Sequence, residues 1–187
     1  MTMLARPSTL PPLQQVAVLA TDCTIASTVM QAKDFFYMAS LNDGRQRGLG
    51  LKPSFSTLIV AADDQPATSF SQDVFPIQAF IDQVEPQLII LPAFWGEFDE
   101  LLERYPAVLP WLRKSHARGA VIGTVANGAY WAAAAGLLDD REATTYWRYH
   151  DDFSQRFPRV VLQRDKHLTD AGQVLCAAGI SSGRDLF

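Results

Sequence analysis

The stretch GTVANGAYWAAAAGLL, residues 123–138, has the layout of a strand end, a tight turn and an alanine-rich helix. Many α/β enzymes use this layout to present a nucleophile. Such a turn needs Ser or Cys at its apex, a base within hydrogen-bond reach and backbone N–H groups for an oxyanion. Here Ala126 and Asn127 stand at the apex. A methyl group cannot attack, so the bend and its amides are all that this chemistry has left. Gly128, just beyond the apex, is expected to allow the sharp strand-to-helix bend.

Other reactive groups are sparse. Gly123 and Gly128 satisfy G-x-x-x-x-G, but a phosphate loop continues with Lys and Ser or Thr, and here Ala129 and Tyr130 follow. The three histidines, His116, His150 and His167, have no partner at a metal-ligand spacing. No metal is expected, and each histidine is assigned to a solvated helix end or hairpin. Cys23 and Cys176 lie far apart without ligand spacing, and both are expected to be ordinary buried thiols rather than a disulfide.

The elements that must position the turn follow from hydrophobic periodicity. Short, almost wholly apolar runs at 16–20, 55–62, 87–94 and 120–125 predict strands covered on both faces. Residues 25–41 carry Ile25, Val29, Ala32, Phe36 and Ala39 at helical spacing, and NDGRQRG is expected to break that helix. A loop at 63–75, a short helix at 77–84 and two helical pieces around Pro106 complete the alternation. The last third differs: DDFSQRF predicts a short helix, RVVLQ a strand, and KHLTDAGQVLCAAG a hairpin turning at 170–172. The pattern predicts an α/β three-layer sandwich, with a mostly parallel sheet, helices on both faces and an antiparallel hairpin extension. In open sheets of this kind ligands bind outside the carboxyl ends of strands, near the point where strand order reverses.

Composition bounds the function. A length of 187 residues leaves room for one domain, taken as 16–187 behind a short N-terminal tail at 1–15. The longest apolar runs are too short to span a bilayer, and the tail lacks a signal-peptide core, so no membrane partner and a cytoplasmic location are expected. A net charge of −4 and a pI near 5.3 make this chain alone a poor binder of DNA phosphates. The one basic cluster, RKSHAR at 113–118, is expected to complement a helix end.

Three further segments add a resemblance to this reading. GAVIGTVANGAYWAAAAGLLDDREATTYW, FSQRFPRVV and HLTDAGQVLCAAGISSGRDL occur in that order. They resemble the class I glutamine-amidotransferase-like domain, of the ThiJ/PfpI superfamily, found at the N-terminus of AraC-type transcriptional regulators. That family's pattern has a strand, Ser-Val-Cys-Thr-Gly-Ala-Phe, an AGLL helix, ATTHW, a Phe-Pro, a hairpin and TSAG leading into an Asp-Leu helix. The likeness covers most of 16–187 and implies a flavodoxin-like fold.

Carried over by position, the family's Cys falls at Ala126, its following Thr at Asn127 and its His at Tyr146. The acidic or hydroxyl position on the first helix falls at Thr28. Thiol, imidazole and carboxylate are all absent, so the resemblance implies a site that has given up catalysis. It also implies a pocket formed by Asp22, Thr28, Phe94, Trp95, Ala126, Asn127, Tyr146 and Trp147, although Phe94, Trp95, Tyr130, Trp131 and Trp147 can equally be core aromatics. The implied function is a ligand-sensing and dimerisation domain with a small-molecule effector and no cofactor. DNA would be reached only through a helix-turn-helix domain beyond residue 187. The competing reading is a hydrolase, amidase or isonitrile hydratase whose nucleophile has moved to Cys23, Cys176 or a water held by Asp22. A dimerisation domain with a collapsed pocket is the third.

Overall fold

The computed structural model describes residues 14–65 and 67–186, so most of the N-terminal tail assigned to 1–15 lies outside the described residues. Strand β1 (Gln15–Ala20) leads into α1 (Ala26–Gln46), followed by β2 (Ser56–Ala61) and the two-residue β3 (Ala79–Phe80). Next come β4 (Leu88–Leu91), α2 (Phe98–Arg104), α3 (Val108–Ala117), β5 (Val121–Val125) and α4 (Ala129–Ala134). The last third contains β6 (Glu142–Ala143), α5 (His150–Arg156), β7 (Val161–Leu162), β8 (Leu168–Asp170), β9 (Val174–Ala177) and α6 (Gly183–Leu186).

The main sheet has the order β3-β2-β1-β4-β5-β9-β8 and is parallel except for β8, which runs antiparallel to β9. The predicted α/β sandwich and its hairpin extension are both present. Alternation along β1 explains the layering. Val16, Val18 and Ala20 face Val29, Ala32 and Phe36 of α1, whereas Ala17 and Leu19 face the side that holds Leu112, Trp131 and Phe153 of α3, α4 and α5. Strand order reverses between β1 and β4, so the loops leaving these two strands diverge at the sheet's carboxyl edge.

Three local expectations are corrected. Helix α1 does not stop at NDGRQRG but runs through Gly44 to Gln46. The glycine answers a steric need, since a Cβ there would sit 2.1 Å from the Lys52 carbonyl oxygen. Residues 77–84 do not form the predicted helix: they contribute β3 at the sheet edge and one 3-10 turn, Ile81–Gln83. The strand predicted at RVVLQ is only β7, which pairs with β6 in a separate two-stranded sheet. The basic cluster serves helix ends, but not only its own. Arg113 reaches across to the carbonyls of Ala134 and Ala135 at the end of α4, and Arg118 pairs with Glu85. Among the described residues, no helix is long and apolar enough to cross a membrane.

Candidate functional site

The turn after β5 keeps an elbow's backbone. Val125 is extended, Ala126 adopts φ +51°, and Ala126–Gly128 form a 3-10 turn that feeds α4. A left-handed conformation costs a residue with a Cβ about 1–2 kcal/mol, so it persists only where its surroundings enforce it. Three successive contacts do so. The Thr145 hydroxyl donates to the Ala126 carbonyl at 3.0 Å. The Asn127 side chain accepts from the Phe94 N–H at 3.1 Å and donates to the Phe94 carbonyl at 2.8 Å. Gly128 approaches β4 so closely that a Cβ would lie 2.1 Å from the Leu91 carbonyl oxygen. Its φ is −54°, so Gly128 is required for this approach and not for the bend, which Ala126 makes.

A second left-handed turn follows β1. Cys23 has φ +60°; its N–H donates to the Thr68 carbonyl and its carbonyl accepts from the Trp95 N–H, both at 2.9 Å. The Ile25 N–H donates to the Ala93 carbonyl at 2.8 Å, which ties the loops after β1 and β4 together where strand order reverses.

Beside the turn at Ala126 lies a cavity of about 560 Å³. Five of the eight residues expected to form a pocket line it: Phe94, Trp95, Ala126, Asn127 and Tyr146. Phe94 closes the inner end, buried against Phe98 and Tyr130 at centroid distances of 5.7 and 6.2 Å. Trp95 is 48% exposed and lies 5.1 Å from the Phe70 ring. Tyr146 is half-buried beside Trp147 and Tyr149. Asn127, expected as a polar ligand contact, instead spends its amide on the Phe94 backbone, so its first role is to fix the wall.

The other three residues lie elsewhere. Asp22 accepts from the Thr68 N–H at 2.9 Å, and its own N–H donates to the Tyr105 hydroxyl at 3.0 Å, which anchors the loop after β1. Thr28 is fully buried and donates to the Ile25 carbonyl at 2.7 Å, tying the start of α1 to its own preceding turn. Trp147 is 69% exposed and belongs neither to the cavity nor to the core. Tyr130 and Trp131 are core, as the bland reading of the aromatics allowed.

The cavity also has walls that sequence reasoning missed. Ile25 and Gln31 come from the start of α1, Tyr149 from the turn before α5, and Gly179, Ile180, Ser181 and Arg184 from the segment after β9. That last wall exists because β9 lies parallel beside β5, which delivers residues 179–184 to the same edge as Ala126. The hairpin was readable in the sequence, and its placement next to the elbow strand was the missing step.

Neither thiol has a lowered pKa. Cys23 is exposed, contrary to expectation, and partial desolvation with Asp22 and Glu100 nearby raises its thiol pKa, which keeps it protonated. Cys176 is buried as expected, and burial raises it as well. His150 is not solvated: it is buried, with Nε2 3.1 Å from the Thr145 carbonyl, and so supports the residue that holds the elbow. Burial, reinforced by hydrogen bonding to Asp152, raises the Tyr130 hydroxyl. Among the described residues no group of three or more His, Cys, Asp or Glu side chains could hold a metal ion.

Comparison with known proteins agrees with this fold. The model of the family described as DJ-1/PfpI matches residues 43–186. The HTH-type transcriptional regulator CdhR of Pseudomonas aeruginosa is 33% identical over 85 residues, 46% of this chain and 25% of the relative. The HTH-type transcriptional regulator ArgR of the same organism is 36% identical over 76 residues, 41% of this chain and 23% of the relative. The match therefore spans about a quarter of the length of these curated relatives. Among solved structures, an AraC family transcriptional regulator from Pseudomonas putida superimposes with a TM-score of 0.72 at 18% identity, over 94% of this chain and 88% of the other.

Proposed function

This chain belongs to the DJ-1/PfpI family, and we propose that it is a non-catalytic domain of an AraC-type transcriptional regulator, binding a small-molecule effector in the cavity beside Ala126. The observation that carries this reading is the elbow itself. Ala126 holds a strained φ of +51° with a methyl group where nucleophilic chemistry needs a hydroxyl or thiol. Tyr146, half-buried on the cavity wall, stands where the resemblance places a histidine. The volume and aromatic lining suit a small organic ligand. A sensor needs a formed cavity, and the cavity beside Ala126 supports that reading.

In this reading the domain pairs with a second copy and reaches DNA through a helix-turn-helix module elsewhere in the same cytoplasmic gene product. Two supports are the regulator names of the relatives and the acidic balance of this chain, which leaves phosphate contacts to another domain. Signalling then requires the ligand to favour one arrangement of the domains over another. The test is a thermal-shift screen of a metabolite library combined with turnover assays on amide, isonitrile and glyoxal substrates. Stabilising hits that Ala126→Leu weakens, with no substrate consumed, are expected. Turnover that Cys23→Ser or Asp22→Asn abolishes would replace this reading with the enzyme.

A further inference from the structure

The proposed effector site has a distinct polarity. Phe94, Tyr146 and the Ala126 methyl group line it with Trp95 at the rim, and Arg184, on the wall after β9, is the one charged residue among the described residues that line it. Arg184 is exposed; among the described residues it forms no ion pair, and its side chain makes one hydrogen bond, a 3.4 Å contact from Nε to the Ser181 carbonyl. In the adjoining cleft Arg156, by contrast, is held by Asp99 and Asp152. Among the described residues no carboxylate lines the cavity to neutralise Arg184. Gln31 and Ser181 also line the cavity, and each brings a polar side chain to it.

We propose that the cavity takes a small apolar monocarboxylate, its carboxylate on Arg184 and its hydrocarbon or aromatic body between Phe94, Trp95, Tyr146 and Ala126. This rests on the sensor reading and narrows it to a ligand class. One planar guanidinium matches one carboxylate through two parallel N–H···O bonds. A phosphate dianion would want more donors than one arginine, an amide and a hydroxyl. An ammonium ligand would meet an unpaired cation and no acid. The volume of about 560 Å³ accommodates a ligand of roughly ten non-hydrogen atoms with room for adjustment.

The test is calorimetry on the 187-residue chain with benzoate, phenylacetate and hexanoate, each against its uncharged amide, and with benzylamine as the cation. At least one acid is expected to bind at least tenfold more tightly than its amide and than benzylamine. Arg184→Gln should erase that preference. Arg148→Gln, which removes an equal charge from the adjoining cleft, should keep it. The proposal is overturned if an amide equals its acid, if benzylamine is preferred, if the preference survives Arg184→Gln or disappears in Arg148→Gln, or if no acid binds. Ala126→Leu and Ile180→Trp, which fill the cavity from opposite sides, separate the two levels. Amide binding that both abolish removes the carboxylate class and leaves the sensor cavity standing. Binding of every probe unchanged by both removes the cavity reading itself.

Discussion

Two turns at the carboxyl edge of the sheet have the same strained backbone and opposite contents. After β1, Cys23 stands at φ +60° with an exposed thiol; after β5, Ala126 stands at φ +51° with a buried methyl group. The thiol lacks the surroundings that would activate it, since desolvation, Asp22 and Glu100 all favour its protonated form. The methyl group has the surroundings without the reactive atom: a helix starting at its back, Thr145 and Asn127 fixing the turn, and a cavity in front. Side chains anchor both turns: Thr145 and the turn's own Asn127 hold Ala126, while Asp22 and Tyr105 anchor the residue before Cys23, whose own amide and carbonyl make backbone hydrogen bonds. What separates the two is the atom at the apex and the cavity beside Ala126.

If the elbow is locked in this way, its supports should dominate stability. Gly128→Ala drives a Cβ into the Leu91 carbonyl, where backbone must move, and should cost about 3 kcal/mol or more in urea denaturation. A loss under 1 kcal/mol would mean that the elbow can shift freely. Asn127→Leu strands the buried N–H and carbonyl of Phe94 and should cost about 2–3 kcal/mol by the same measurement.

The turn residues themselves should respond differently to glycine. At exposed Cys23 glycine removes strain and little else, so Cys23→Gly should raise stability by about 0.5–1 kcal/mol. At Ala126 the same relief is offset by losing a buried methyl group, worth about 0.8 kcal/mol, so Ala126→Gly should leave the melting temperature nearly unchanged. Equal shifts for the two variants would erase the contrast. The smallest effect is kinetic. A raised pKa means that the Cys23 thiolate appears only at higher pH, so alkylation by iodoacetamide should rise with pH through a midpoint above that of a free thiol, while Cys176 stays unlabelled until the chain unfolds. A Cys23 midpoint near neutrality would restore it as a candidate nucleophile.

Much of this architecture was legible in the residues. Continuous apolar runs gave away the buried parallel strands β1, β2, β4 and β5, and Asp170 with Gly172 marked the turn between β8 and β9. The elbow was readable because Ala126 sits between an apolar strand and a helix of strong helix formers. What spacing could not supply was lateral order. Nothing along the chain places β9 beside β5, and so the wall formed by residues 179–184 was missed. Nor does residue type distinguish Trp95, on the cavity rim, from Trp131, in the core, or from Trp147, in solvent. Trp131 lies within α4 and faces the core, whereas Trp95 and Trp147 lie in the segments after β4 and β6. Gly44 and Gly128 misled for a related reason: both look like conformational breakers, and both are needed because another backbone passes within contact distance.

The proposed elbow binds without reacting. The most direct measurement takes the strongest stabilising compound from a metabolite screen, incubates it with the chain at equal concentration, and follows both partners by NMR over hours. The account predicts saturable binding that perturbs Tyr146 and the residues after β9, with the compound recovered unchanged and the binding lost in Ala126→Leu. Conversion of the compound, or binding indifferent to Ala126→Leu, would contradict it.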